Sequence, residues 1–97
     1  MCENVYDMII VGSGPAGLTA GIYGKRAGLK VVILESGFIQ GGQIVNTYEV
    51  DNYPGMPGIS GLELAEKLKE HVTGFGVENQ SAMVIGISVD GEWKILH

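Results

Sequence analysis

The segment from Tyr6 to Glu35 constrains the fold more than any other part of this 97-residue chain. Residues 8–11 form a short apolar run, which is typical of a strand buried on both faces of a parallel sheet. A glycine-rich hexapeptide, residues 12–17, follows at once, and a second buried strand, residues 31–34, ends at Glu35. This order predicts a strand, a tight turn, a helix and a parallel strand, which is the βαβ unit of an α/β domain.

The hexapeptide reads GSGPAG and matches the pattern G-x-G-x-x-G. In this pattern Gly12 permits the tight turn, Gly14 lets the backbone approach a pyrophosphate, and Gly17 lets the helix pack closely on the strand. The three other positions of the turn are Ser13, Pro15 and Ala16. Because N–H groups at a helix start and the positive end of its dipole attract phosphate, the motif predicts a dinucleotide site.

Glu35 is the predicted ribose acceptor. It ends the second strand 18 residues after Gly17, close to the spacing of about 20 residues at which an acid receives ribose hydroxyl hydrogen bonds. The alternative is a plain glycine turn in an ordinary βαβ unit. The strand before the motif, the helix after it and the acid beyond it all favour the dinucleotide interpretation.

The helix between these strands is expected to present Leu18, Ile22 and Ala27 on one face. Gly28 is the predicted stop signal, and Gly21 fits a close helix crossing. We therefore expect the helix to end just before residue 28.

Composition excludes several classes of partner and site. The net charge is −5 and the pI is about 4.8, so nucleic acid and anionic membranes are poor partners. No apolar run approaches the roughly 18 residues of a membrane span. Cys2 is the single cysteine, which leaves no disulfide, C-x-x-C pair or thiolate metal site within the chain. A reducing, cytoplasmic setting is expected.

The segment from residue 36 to residue 58 is rich in turn-forming residues. Gly41, Gly42 and Gln43 combine bare backbone with an amide that donates and accepts, although composition alone favours a plain flexible loop. Asn52 precedes a turn with two prolines, where its amide could face a ligand or cap its own turn.

The remaining chain predicts a helix and then strands. Ser60 and Glu63 form a capping box, after which Leu64, Ala65, Leu68 and Val72 share one apolar face. Gly74 or Gly76 is expected to end this helix. A short third strand is predicted over residues 77–80. A hairpin is predicted from residue 83 to residue 96, turning at Asp90 and Gly91.

Several of these motifs occur in one order. The chain contains VGSGPAGLTA, then GGQ, then NYPG, then GISG followed by Leu62 and Glu63, and in this it resembles the low-molecular-weight thioredoxin reductases, over nearly its whole length. The glycine motif is common to many dinucleotide enzymes, whereas the combination of GGQ and NYPG is more specific. The resemblance implies a Rossmann-like FAD-binding βαβ domain with a parallel sheet and the start of a β-meander.

The resemblance also implies roles for individual residues. The FAD pyrophosphate would lie on residues 12–17 and the adenosine ribose on Glu35. Gly41, Gly42, Gln43, Thr47 and Asn52 would line the ribityl and isoalloxazine side. The backbone of Val84, in the strand after the helix, would meet the adenine. In the family, the flavin takes hydride from NADPH and passes electrons to a cysteine pair.

The sequence departs from the family by what it lacks. It has no C-x-x-C pair, no second glycine motif for NADPH and no later Gly-Asp segment completing the FAD site. We therefore predict that residues 1–97 are the N-terminal part of an FAD-binding domain, without the NADPH domain and not catalytic alone. The predicted sheet is incomplete, and the edge strand of its hairpin would be left unpaired. A missing C-terminal segment or a homodimer would pair with that edge. The alternatives are a free-standing dinucleotide-binding module, which completes its site with another chain or by homodimerisation, and a degenerate product without a ligand.

Overall fold

A three-stranded parallel sheet carrying two helices and a separate hairpin make up the fold. The computed structural model describes residues 5–37 and 46–97. The elements in chain order are β1 (Met8–Val11), α1 (Pro15–Arg26), β2 (Val31–Glu35), α2 (Gly61–Gly74), β3 (Glu78–Ser81), β4 (Ile87–Asp90) and β5 (Trp93–Leu96). The sheet has the order β1-β2-β3, and β4 pairs with β5. The predicted α/β class, with a parallel sheet and a hairpin, is confirmed.

β2 is the central strand of the sheet. It runs parallel to both neighbours, with Met8 opposite Val31 and Glu78 opposite Val32. Val32 and Ile33 are almost fully buried. The expectation that the first strand is buried on both faces is wrong, because β1 lies at the edge of the sheet and Val11 is 57% exposed.

α1 packs its small residues against the sheet. Its buried residues are Leu18, Gly21 and Gly24. A Cβ at Gly21 would lie 2.8 Å from Cδ1 of Ile33, so the close approach is to β2 rather than to another helix. Ala27, expected on the apolar face, is instead the exposed C-cap, because the helix ends at Arg26. Gly28 has a φ of +84° directly after it, as the stop signal predicts.

α2 follows its predicted pattern closely. The N–H of Glu63 donates to Oγ of Ser60 over 3.1 Å, and that hydroxyl donates to Oε1 of Glu63 over 3.3 Å. The predicted apolar face is buried and comprises Leu64, Ala65, Leu68 and Val72. The helix ends at Gly74, and Gly76 adopts a φ of +83° two residues later. The capped helix therefore supplies Leu64, Leu68 and Val72 to the core cluster.

The strands after α2 start later than predicted. The third strand begins at Glu78 instead of residue 77, because the N–H of Val77 donates to the carbonyl of Val72 in α2 and not to the sheet. The hairpin strands begin at Ile87 and Trp93, and Gly91 in the turn has a φ of +63°. Residues 83–86, predicted as strand, lie in the connection before β4, although the N–H of Ile85 still donates to the carbonyl of His97. Within residues 5–37 and 46–97, no helix has the length and apolar character needed to cross a membrane.

Candidate functional site

The turn between β1 and α1 requires two of its glycines for different reasons. Gly12 has a φ of +102°, a left-handed conformation that side chains rarely adopt, while the space around it is open. Gly17 has ordinary φ, but a Cβ there would overlap the carbonyl oxygen of Gly12 and lie 3.2 Å from Cγ2 of Ile10. The turn is therefore compact, and a side chain would be strained at Gly12 and would overlap the backbone at Gly17.

The start of α1 is suited to an anion. Gly14 is the N-cap, with a ψ of 178° and no side-chain capping hydrogen bond, and Pro15 follows at the first helical position. The N–H of Leu18 makes the first intrahelical bond, to the carbonyl of Gly14 over 3.0 Å. The N–H groups of Ala16 and Gly17 therefore precede the helical ladder, and they coincide with the positive end of the helix dipole.

Glu35 lies beside this turn and accepts hydrogen bonds from two sides. Its Oε2 accepts from the N–H of Ser13 over 2.9 Å and from the Ser13 hydroxyl over 2.5 Å. Its Oε1 accepts from the N–H groups of Ser36, over 2.9 Å, and Gly37, over 3.2 Å. The Ser13 hydroxyl is the largest of the causes that lower the pKa of Glu35, and the three N–H groups act in the same direction. The carboxylate is thus held ionised at the edge of the turn.

The sheet register explains why these residues meet. Val11 lies opposite Leu34, and the N–H of Gly12 donates to the carbonyl of Leu34 over 2.8 Å. Glu35 follows Leu34 directly and Ser13 follows Gly12, so the two residues meet where the chain leaves the carboxyl edge of the sheet. Sequence reasoning missed this pair and assigned Glu35 only to ribose. The adjacent placement of parallel strand ends was the signal that could have found it.

The other predicted site residues lie in different places. Thr47 and Asn52 line an open groove of about 520 Å³ together with Glu49, Val50 and Asp51. The carbonyl of Thr47 accepts from the N–H of Gly61 over 2.8 Å, which ties this groove to the start of α2. Gly41, Gly42 and Gln43 lie outside the described residues.

Val84 requires a correction. It was expected in the strand after the helix, but β3 ends at Ser81 and Val84 lies in the connection to β4. The N–H of Ala82 still donates to the carbonyl of Glu35, so the chain leaves β3 at the edge that carries the glycine turn. The structure thus brings residues 12–17 and Glu35 together, and it puts Val84 just beyond a strand rather than within one.

A second polar cluster was not predicted. The hydroxyl of Tyr6 donates to Oε2 of Glu78 over 2.8 Å, and Nε2 of Gln80 donates to the same oxygen over 2.5 Å. Nζ of Lys30 lies 4.9 Å from the centre of the Tyr6 ring. The Glu78 contact raises the pKa of Tyr6, and the Tyr6 hydroxyl lowers the pKa of Glu78. The cluster lies near the strand starts, opposite the glycine turn, and joins β1 to β3.

The chain is similar in sequence to known oxidoreductases. The family model described as "Pyridine nucleotide-disulphide oxidoreductase" matches residues 6–96. A thioredoxin reductase of Peptoclostridium acidaminophilum is 44% identical over 95 residues, and one of Bacillus subtilis is 44% identical over 94 residues. Each alignment covers 97% of this chain, but 30% of the first relative and 29% of the second.

Solved structures agree with this relationship. The thioredoxin reductase of Lactococcus lactis superimposes with a TM-score of 0.91 and 46% identity, covering 96% of this chain and 30% of that one. A ferredoxin-flavin thioredoxin reductase of Clostridium acetobutylicum superimposes with a TM-score of 0.89 and 30% identity, covering 98% of this chain and 33% of that one. The chain thus spans about 30% of the length of its thioredoxin reductase relatives. Because the family model spans almost all of its residues, this chain belongs to the pyridine nucleotide-disulphide oxidoreductase family.

Proposed function

We propose that this chain is the FAD-binding part of a thioredoxin-reductase-like oxidoreductase and that its glycine turn and Glu35 hold the adenosine diphosphate half of FAD. The observation that carries the proposal is the pairing of two features at one sheet edge. The α1 start lacks a side-chain cap, and an ionised acid from β2 lies directly beside it. A diphosphate followed by a ribose requires these two kinds of group in this order.

The residues present fit such a cofactor. Ala16 and Gly17 would donate their N–H groups to the pyrophosphate, and Gly14 would let the phosphate oxygens approach the backbone. Glu35 would accept from ribose hydroxyls, because a carboxylate is an acceptor only when it is ionised. When bound, FAD would supply the capacity to accept a hydride and pass electrons on.

The contacts to the flavin end of FAD are proposed from the family resemblance. Residues 41–43 would approach the ribityl chain, while Thr47 and Asn52 would face the same side from their open groove. The backbone of Val84 would meet the adenine from the connection after β3. The groove offers backbone and amide groups that can donate and accept hydrogen bonds, which suits a ribityl chain and a flavin ring.

The reaction of a whole enzyme is proposed by family membership. Full-length relatives of the thioredoxin reductase type would transfer electrons from NADPH through FAD to a disulphide, and residues 1–97 would form the first part of the FAD domain. The name of the Clostridium acetobutylicum enzyme gives ferredoxin as well as flavin, so ferredoxin is the alternative electron donor proposed for a whole enzyme. The single cysteine is consistent with a reducing, cytoplasmic setting. A homodimer or a further polypeptide segment would supply the remaining groups.

The test is a binding titration of the purified chain with FAD, ADP and FMN. Flavin fluorescence and calorimetry measure the binding. FAD and ADP should bind and compete with each other, whereas FMN should not compete, because it lacks the adenosine half. Failure of both FAD and ADP to bind would contradict the proposal for this chain. Competition by FMN would place recognition at the flavin instead.

The same titration, repeated with variants of the chain, tests which residues form the site. Glu35→Ala should weaken ADP binding about 10- to 100-fold, the loss expected for a hydrogen bond to a charged group. Gly14→Val should weaken it further by blocking the approach of phosphate to the backbone. Gly74→Ala, at the end of α2 with open space around it, is the control and should bind as the unmodified chain does. Unchanged binding in Glu35→Ala would remove the ribose assignment.

A further inference from the structure

We propose that Ser13 is a positioning residue. Its buried side chain holds the Glu35 carboxylate at a fixed distance from the glycine turn, and at that distance the carboxylate can bind a ribose. The inference rests on the proposed function and assigns Ser13 a role through Glu35 instead of direct contact with the cofactor. Ser13 is the one buried polar side chain among the described residues, with an exposed fraction of 0%.

The geometry holds the carboxylate from two directions. Ser36 and Gly37 bind Oε1 with backbone N–H groups from the same strand end, so they move with Glu35. Ser13 binds Oε2 with its N–H and its hydroxyl from the turn after β1. Ser13 is therefore the contact that sets the position of the acid relative to the phosphate-binding turn.

The hydroxyl is the part of this contact that a mutation can remove. The other three donors belong to the backbone and remain in any variant with the same fold. The groups that lower the pKa of Glu35 are all neutral donors, from the glycine turn and from residues 36 and 37, and no charged side chain within the described ranges contributes. A loss of the Ser13 hydroxyl should therefore be visible in the titration of Glu35 itself.

The first experiment follows the side-chain carboxyl signal of Glu35 by carbon-13 NMR against pH in the ligand-free chain. Glu35→Gln assigns the signal. The midpoint should move upward, toward the ordinary value of 4.5, in Ser13→Ala and in Ser13→Gly. Ser13→Thr, which keeps a hydroxyl, should restore a low midpoint. Thr19→Ala is the matched control, because Thr19 donates its hydroxyl to the carbonyl of Pro15 on the same helix and does not contact Glu35.

The second experiment measures ADP binding at pH 7. Ser13→Ala should weaken binding about 3- to 10-fold, which corresponds to one neutral hydrogen bond, and Thr19→Ala should leave it unchanged. An unchanged Glu35 midpoint in both Ser13→Ala and Ser13→Gly would overturn the positioning role. A shifted midpoint with unchanged ADP affinity would overturn its link to ribose binding. If the unmodified chain binds neither ADP nor FAD, the proposed function fails, while the NMR titration still decides whether Ser13 positions Glu35.

Discussion

The hydroxyl of Tyr6 and the carboxylate of Glu78 form a hydrogen bond of 2.8 Å although the two residues are 72 positions apart. Tyr6 precedes β1 and Glu78 begins β3, so the bond connects the two outer strands of the parallel sheet near their starts. It lies at the end of the sheet opposite the glycine turn, and we expect it to contribute to stability rather than to binding.

Removing this hydroxyl should flatten the dependence of the unfolding free energy on pH. The lowered pKa of Glu78 contributes stability that is present above pH 4.5 and is lost as pH falls through the folded-state pKa. The raised pKa of Tyr6 contributes stability that is present below pH 10 and is lost as pH rises through the folded-state pKa. Tyr6→Phe removes the bond and keeps the ring beside Lys30, so urea unfolding across pH should show weaker losses at both extremes.

Tyr23→Phe provides the comparison for that measurement. Tyr23 lies on α1 with 65% of its surface exposed. The Tyr23→Phe variant should therefore show the same dependence of unfolding free energy on pH as the unmodified chain. Equal profiles for Tyr6→Phe and the unmodified chain would show that the Tyr6–Glu78 bond contributes nothing to stability.

Gly17→Ala should destabilise the chain by about 3 kcal/mol, because the added methyl group meets the backbone of Gly12 and the strand before it. Gly74→Ala should stabilise by about 0.5 kcal/mol, since alanine is the better helix former and the site is open. The changes in the free energy of unfolding relative to the unmodified chain, measured in urea, therefore differ in sign between the two variants. A Gly17→Ala variant as stable as the unmodified chain would show that α1 can move away from β1.

Leu64→Ala should cost about 2–5 kcal/mol of unfolding free energy, because Leu64 is fully buried in the core cluster that α2 shares with α1 and β2. Leu62→Ala is the matched control on the same helix, where the side chain is 49% exposed and the cost should stay near 0.5 kcal/mol. Thermal and urea unfolding of both variants give the comparison, and similar losses would contradict the assigned face of α2.

Ser60→Ala should cost about 1 kcal/mol, because the Glu63 N–H loses the hydroxyl that caps α2. Thr73→Ala removes a hydroxyl from the exposed last turn of the same helix and should change the unfolding free energy by less than about 0.5 kcal/mol. Urea unfolding measures both, and the cap is unimportant if the two variants are equally stable.

Local chemistry made much of the fold predictable. The glycine pattern located the turn at residues 12–17, the capping box located the start of α2, and Gly91 located the hairpin turn. In each case neighbouring residues alone impose the backbone conformation. The apolar face of α2 was equally predictable, because its 3.6-residue period admits one buried side.

Predictions that depended on neighbours distant in sequence succeeded less often. The apolar run of β1 suggests burial on both faces, but its position at the sheet edge leaves Val11 exposed. Gly21 suggests a helix crossing, whereas the structure shows Ile33 of β2 against it. Val84 lies in the connection between β3 and β4, although its apolar neighbours predicted a strand there. A single side chain does not reveal which surface it will meet.

Motifs and periodicity act over a few residues, so the amino-acid sequence was enough to predict the family, the order of the elements and the positions of the turns. Tertiary structure alone decided the strand order and the two contacts across the sheet, Ser13 with Glu35 and Tyr6 with Glu78. The physical reason is that pairing in a parallel sheet depends on the joint burial of several distant segments. The register of β1 on β2 places Gly12 beside the end of β2, and the turn that follows brings Ser13 against Glu35, a contact that neither residue encodes alone.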